Sequence, residues 1–100
     1  MNGSLQIEPE AEQELLSAAQ WYQVQRPGLE ERFLLAVEGT IESILQAPGG
    51  YQAIKDKVRQ APVKGFPFVV VYASVKRTVV VLSIFHTSRN PRSKRTHRRR

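Results

Sequence analysis

The polar segment after the last apolar run holds the residues with the clearest potential for chemistry. His86 follows the run from Val79 to Phe85, and Arg89 comes three residues later. A histidine can act as an acid or a base near neutral pH, and an arginine can bind a phosphate through two hydrogen bonds. Arg59, on an earlier candidate strand, can fall on the same face of the sheet. Cleavage of RNA by its own 2′-hydroxyl needs a proton acceptor and positive charge at the phosphate, so His86, Arg59 and Arg89 are the candidate catalytic residues.

The same region also has structural interpretations. His86 can cap the end of a strand through a backbone hydrogen bond, and we weigh this role above catalysis. Arg89 can pair with a helix carboxylate such as Glu12 or Glu38. We expect the aromatic residues Tyr72 and Trp21 in the core rather than in a site.

A second set of candidates consists of basic residues that can bind nucleic acid or a protein partner. They are Lys64, Arg92, Lys94, Arg95, His97 and Arg98. All but the first lie in a tail, residues 92–100, that follows a single domain over residues 1–91 and contains six bases in nine residues. Such a tail can follow phosphates, which makes binding steeply salt-dependent. It can equally dock on an acidic partner, or simply keep the end of the chain soluble.

Charge divides the chain into an acidic and a basic half. Residues 1–46 contain eight acids and two bases, whereas residues 47–100 contain one acid and thirteen bases. This asymmetry favours an acidic or phosphate-rich partner for the basic half. The alternative is that the bases pair with the acidic helices and solubilise the surface.

Several kinds of site are disfavoured by what the sequence lacks. There is no cysteine, and the only acid after Glu42 is Asp56. Two histidines without nearby carboxylates make a poor metal site, and no glycine-rich loop lies between a strand and a helix. We therefore expect no metal and no cofactor. The chain also has neither a leader-like start nor a run of ~18 apolar residues, so we expect a cytoplasmic protein without membrane contact.

The order of elements predicts a two-layer α+β fold. A short edge strand at Leu5–Ile7 precedes two helices, which are separated by Arg26-Pro27-Gly28 and end at Pro48. After an ambiguous loop over residues 51–57 come three strands, at residues 58–63, 66–73 and 79–85. The order β-α-α-β-β-β predicts a helix hairpin packed on a small antiparallel sheet, because each layer has one apolar face to bury.

Motifs along almost the whole chain resemble a known family. They are Pro9-Glu10-Ala11, Trp21-Tyr22, Arg26-Pro27-Gly28-Leu29, Gly65-Phe66-Pro67-Phe68 and His86-Thr87-Ser88-Arg89-Asn90-Pro91. Their order and spacing, from about Leu5 to Pro91, resemble the RelE/ParE superfamily of toxins from type II toxin–antitoxin systems. The Trp21-Tyr22 pair and the Gly65–Phe68 motif look more like the ParE side. The tail departs from the family pattern, since Lys94 replaces a frequent tryptophan and His97 a frequent arginine.

The resemblance implies a growth-inhibiting toxin that a cognate antitoxin neutralises in a hetero-oligomer. ParE-like members poison DNA gyrase and are not enzymes. RelE-like members are metal-independent ribonucleases that cut messenger RNA on the ribosome, and only in that case would His86, Arg59 and Arg89 be catalytic. A different class of function also fits the basic half, namely a non-toxic nucleic-acid-binding module or a degenerate toxin.

Overall fold

The computed structural model describes residues 4–88, which form two helices and five strands. In chain order these are β1 (Ser4–Ile7), α1 (Pro9–Gln25), α2 (Leu29–Gln46), β2 (Gln52–Lys55), β3 (Val58–Pro62), β4 (Phe68–Val75) and β5 (Thr78–His86). A single 3-10 turn, Pro48–Gly50, follows α2. Arg89, Arg92, Lys94, Arg95, His97 and Arg98 lie outside the described residues, so the structure says nothing about their predicted roles.

The helix hairpin begins and breaks where the sequence predicts. Pro9 is the first residue of α1, where its fixed φ suits the first turn, and Glu10 and Glu12 complement the positive end of the helix dipole. Gly28, with φ of 89°, ends the break before α2. A left-handed φ of this kind strains any residue with a Cβ, which is why a glycine suits this position.

The five strands form one mixed sheet in the order β1-β5-β4-β3-β2. β3, β4 and β5 are the predicted antiparallel meander. β1 is the predicted edge strand, but it runs parallel to β5, so the sheet is not wholly antiparallel. The loop predicted over residues 51–57 contains the other edge strand, β2. β2 could not be predicted from the sequence, because all four of its residues are exposed and therefore show no apolar alternation.

The core lies between the helices and one face of the sheet. Four aromatic rings meet there with centroids 5.0 to 6.3 Å apart, those of Tyr22, Phe33, Phe66 and Phe68. Trp21 was predicted in the core, but 47% of its surface is exposed. It lies at the margin of the buried stripe of α1, where its ring meets the Tyr22 ring edge to face with centroids 5.1 Å apart.

One carboxylate joins the first helix to an irregularity in β5. The pairing of β4 with β5 shifts register at Val71 and Tyr72, which are opposite Ser83 and Val81. One oxygen of Glu14 accepts a hydrogen bond of 2.8 Å from the Ser83 hydroxyl and another of 2.9 Å from the Ile84 amide. Glu14 therefore satisfies polar groups beside the register shift that the buried side of the sheet would otherwise leave unpaired.

The hairpin between β4 and β5 has an unusual turn. Its two central residues, Lys76 and Arg77, have φ of 47° and 73°. Positive φ at both positions is the pattern of a type I′ turn, for which Asn-Gly is the favoured pair. In this conformation the Cβ of an ordinary residue crowds the backbone at a cost of roughly 1–2 kcal/mol, which glycine avoids and asparagine reduces.

This strain gives a stability prediction. The double substitution Lys76→Asn/Arg77→Gly should raise the free energy of unfolding by about 1–2 kcal/mol, because both new residues tolerate positive φ. Urea unfolding measures the change. A decrease in the free energy of unfolding would show that the turn is not strained in this way.

Candidate functional site

Arg59 is the second residue of β3, and its side chain makes a contact within the fold. It is opposite Tyr72 in the pairing of β3 with β4. Its guanidinium Nη1 donates a hydrogen bond of 2.7 Å to the backbone carbonyl of Tyr51. Arg59 therefore fastens the segment between the 3-10 turn and β2 to the sheet.

Tyr72 holds the other end of the same segment. Its side chain is fully buried, and its hydroxyl donates a hydrogen bond of 2.6 Å to the carbonyl of Pro48. Burial raises the pKa of Tyr72 above its usual value, partly offset by the positive charge of Arg59. Tyr72 is thus a core residue, as predicted, and with Arg59 it fixes Pro48 and Tyr51 against the sheet.

The raised pKa of Tyr72 predicts a loss of stability at high pH. The native state keeps this proton at pH values where the unfolded chain loses it, so its contribution is complete below about pH 10 and falls as pH rises beyond that. Tyr72→Phe should remove this pH dependence. The measurement is urea unfolding of both proteins at pH 8 and pH 11. An equal loss of stability in both proteins at pH 11 would contradict the assignment.

His86 ends β5 and also has structural partners. It is opposite Phe68, and the two rings meet edge to face at 4.9 Å. Its Nδ1 accepts a hydrogen bond of 3.1 Å from the Ser88 amide, so in this arrangement Nδ1 carries no proton. His86 is half-buried at the start of the turn that follows β5.

The fold does not bring Arg59 and His86 together. Arg59 is opposite Tyr72 and His86 is opposite Phe68, on the two sides of β4. Four residues of strand and two strand spacings separate them, which places their backbones roughly 16 Å apart. Arg59 and His86 therefore do not lie side by side, and the Arg59 guanidinium is bound to the Tyr51 carbonyl.

Lys64 lies instead on the rim of a groove between α2 and the connection from β3 to β4. The groove has a volume of about 740 Å³. Two more cations line it, Arg26 and Arg32. Within residues 4–88, none of these three forms an ion pair with a carboxylate. We call this feature the basic groove.

The floor of the basic groove is apolar and accessible to a partner. Leu29, Leu35 and Phe66 line it, and 58% of the surface of Leu35 is exposed. Gly39 lies there too, in the middle of α2, and a Cβ added to it would meet nothing within 4 Å. A glycine inside a helix costs about 1 kcal/mol relative to alanine, and nothing in the described part of the chain requires it. The groove therefore allows close approach of a partner to the backbone of α2.

A second basic feature lies where the turns β2–β3 and β4–β5 project from the sheet. Lys55, Lys57, Lys76 and Arg77 are all exposed there, with Asp56 as a single nearby acid. We call these four residues the cationic sheet end. The cationic sheet end does not emerge from the sequence motifs. Arg26 belongs to the Arg26–Leu29 motif, but that motif does not indicate a groove shared with Arg32 and Gly39. A signal for the groove is the spacing of Arg32, Leu35, Gly39 and Ser43, which recur every three or four residues beside the buried stripe of α2.

Two further features bear on the class of site. Residues 4–88 contain no group of three or more histidine, aspartate or glutamate side chains placed to hold a metal ion. Over the same residues, neither helix is sufficiently long and apolar to span a membrane.

Comparison with known proteins identifies the family. The model of the ParE toxin of the type II toxin–antitoxin system parDE matches residues 5–91, and the chain therefore belongs to this toxin family. Its membership of the RelE/ParE superfamily, on the ParE side, confirms what the motifs predicted. No curated protein matches the chain.

A solved structure shares the fold. It is described as "Chromosomal ParDE TA system from P. aeruginosa", and it superposes with a TM-score of 0.64 at 23% identity. The match covers 86% of this chain and 97% of that one. The likeness confirms the α+β architecture.

Proposed function

We propose that this toxin acts in the cytoplasm by binding DNA gyrase, without chemistry of its own, and that a cognate antitoxin neutralises it. The observation that carries the first part is the separation of Arg59 and His86. A ribonuclease needs its proton-transfer group and its phosphate-binding group at one scissile bond. The two described candidates lie roughly 16 Å apart, by strand spacing and rise, and each has partners within the fold.

Expression of the chain alone tests the mode of action. A gyrase poison should arrest growth, induce the SOS response and trap gyrase covalently on DNA. Fragmented messenger RNA without DNA damage would contradict the proposal and favour the ribonuclease. In that case the Ala variants of His86, Arg59 and Arg89 should each abolish cleavage. Harmless expression would favour the alternative of a non-toxic binding module or degenerate toxin.

The second part of the proposal assigns the basic groove to the antitoxin. Its occupant would be an acidic, amphipathic helical segment of that protein. Arg26, Arg32 and Lys64 offer three cations without carboxylate partners among the described residues, and Leu35 and Phe66 offer apolar surface between them. Gly39 leaves room for a helix backbone to approach α2 closely. Charge complementarity of this kind favours fast and specific association.

Filling the groove should prevent neutralisation. We expect Gly39→Gln to weaken binding of the antitoxin by at least about tenfold, or about 1.4 kcal/mol, because the new side chain occupies the space of the partner. The same change should leave the free toxin folded, since glutamine is a better helix former than glycine. The test is titration calorimetry with the purified cognate antitoxin.

The matched control for this experiment is Glu38→Gln. It places the same side chain at the neighbouring exposed position of α2, which does not line the groove. Binding should be close to that of the unchanged chain. Equal affinities of the Gly39 and Glu38 variants would show that the antitoxin binds elsewhere.

A further inference from the structure

We propose that the cationic sheet end, formed by Lys55, Lys57, Lys76 and Arg77, is the surface that recognises the toxin's protein target. Its partner would be a protein surface that is acidic and also carries apolar groups. This inference rests on the proposed function, because it assumes that the chain is toxic and acts by binding.

The fold places these four cations together. Val58 is opposite Ala73 in the pairing of β3 with β4. The β2–β3 turn at residues 56 and 57 directly precedes Val58, and the β4–β5 turn at residues 76 and 77 begins three residues after Ala73. Both turns therefore project from the same end of the sheet, roughly 10 Å apart by strand rise and spacing.

The second turn keeps its cations at a cost to stability. Lys76 and Arg77 both have positive φ, a conformation in which Asn-Gly would be less strained. Strained residues that persist on a rigid scaffold are candidates for function. Hydrogen bonds to β1 hold this turn, because the Ser4 amide donates to the Arg77 carbonyl at 3.0 Å and the hydroxyls of Ser4 and Thr78 are 2.8 Å apart.

Apolar side chains beside the cations favour a protein partner over nucleic acid. Val75 and Ile54, next to Lys76 and Lys55 in the chain, are 49% and 41% exposed. Aliphatic groups gain from burial in a protein interface but find little to contact on a phosphate backbone. The half-exposed Trp21, which could stack on a base, lies at the other end of the molecule, beside Tyr22 and the Phe66 cluster.

The cationic sheet end is separate from the basic groove. Two residues that line the groove lie at the far end of β3: Pro62 is its last residue, and Lys64 follows two residues later. Lys57 directly precedes the first residue of β3. The five residues of β3 span roughly 16 Å. Target binding and antitoxin binding should therefore be separable by substitution.

The test uses Lys76→Asn/Arg77→Gly in the full chain. We expect this variant to be folded, with a higher Tm than the unchanged protein, and to retain antitoxin binding. It should fail to arrest growth, and its affinity for purified DNA gyrase without DNA should fall at least about tenfold. The matched control is Gln20→Glu/Gln23→Glu on the exposed surface of α1, which lowers the net charge by the same two units and should stay toxic.

The outcomes separate the inference from the proposed function. If the unchanged chain is toxic and the turn variant is equally toxic and binds gyrase equally well, the inference is wrong while the proposed function stands. The inference is also wrong if the turn variant and the α1 control lose toxicity alike, because net charge alone would then explain the loss. If the turn variant loses affinity for linear duplex DNA alone, with gyrase binding unchanged, the partner is nucleic acid. If the unchanged chain is harmless, both proposals fail.

Discussion

Phe33→Ala is expected to lower the free energy of unfolding by about 3–5 kcal/mol. Phe33 is fully buried, and its ring meets those of Tyr22, Phe66 and Phe68 with centroids 5.0 to 5.2 Å apart. The substitution removes the ring that joins α2 to both α1 and the sheet and leaves a cavity between them. Small domains have a total stability of about 5–15 kcal/mol, so this loss is a large part of the total.

Urea unfolding with a matched control measures this effect. Leu35→Ala truncates a neighbouring apolar side chain of α2 that is 58% exposed, and it should change the free energy of unfolding by less than about 0.5 kcal/mol. If Phe33→Ala loses less than about 1 kcal/mol, close to the loss of the control, the aromatic cluster is not the centre of the core.

The second large effect is expected at Glu14. Glu14→Ala should lower the free energy of unfolding by about 2–3 kcal/mol, because it removes an acceptor shared by the Ser83 hydroxyl and the Ile84 amide. Both hydrogen bonds are partly buried, so water replaces the lost acceptor only in part. Glu14→Gln keeps a carbonyl oxygen at this place and should lose only about 1 kcal/mol.

The control for Glu14 is Glu42→Ala. Glu42 is an exposed carboxylate of α2 for which the described residues provide no hydrogen bond or ion pair. Its loss should be within about 0.5 kcal/mol of zero. Equal effects at Glu14 and Glu42 would mean that the link between α1 and the register shift of β5 contributes nothing.

Much of the architecture could be predicted because apolar periodicity and chain breaks are local. The buried stripe of α1, with Ala11, Ala18 and Tyr22, and the break at Gly28 follow from spacing and from backbone preference. β2 escaped prediction because an exposed edge strand has no face to bury. The parallel direction of β1 escaped it because direction depends on which strand is its neighbour, and no local pattern records that.

The candidate site was less predictable, since sites depend on residues that are distant in sequence. Arg59 and His86 are both on strands, but only the pairing with β4 shows how far apart they are. Arg59 is opposite Tyr72, whereas His86 is opposite Phe68, four residues away along β4. The basic groove joins Arg26 and Arg32 from the helices to Lys64 from a loop. The strain at Lys76 and Arg77 could be found only from the backbone angles, because two charged residues between two strands predict no more than an ordinary polar turn.

The two proposed surfaces lie at opposite ends of β3 and have different chemistry. The basic groove has an apolar floor and would accept a helix, whereas the cationic sheet end presents charges on two tight turns. An antitoxin in the groove would leave the turns uncovered, and it would neutralise the toxin by its bulk or by holding it in a complex. A ternary complex of toxin, antitoxin and target should therefore form at low affinity, and analytical ultracentrifugation would detect it.

The central claim is that this toxin binds and poisons gyrase without chemistry of its own. The most direct measurement incubates the purified chain with DNA gyrase, ATP and supercoiled plasmid, and then denatures the enzyme. We predict that linear plasmid accumulates with the unchanged chain and also with His86→Ala. The contradictory result is intact plasmid together with cleavage of messenger RNA on ribosomes, lost in both His86→Ala and Arg59→Ala.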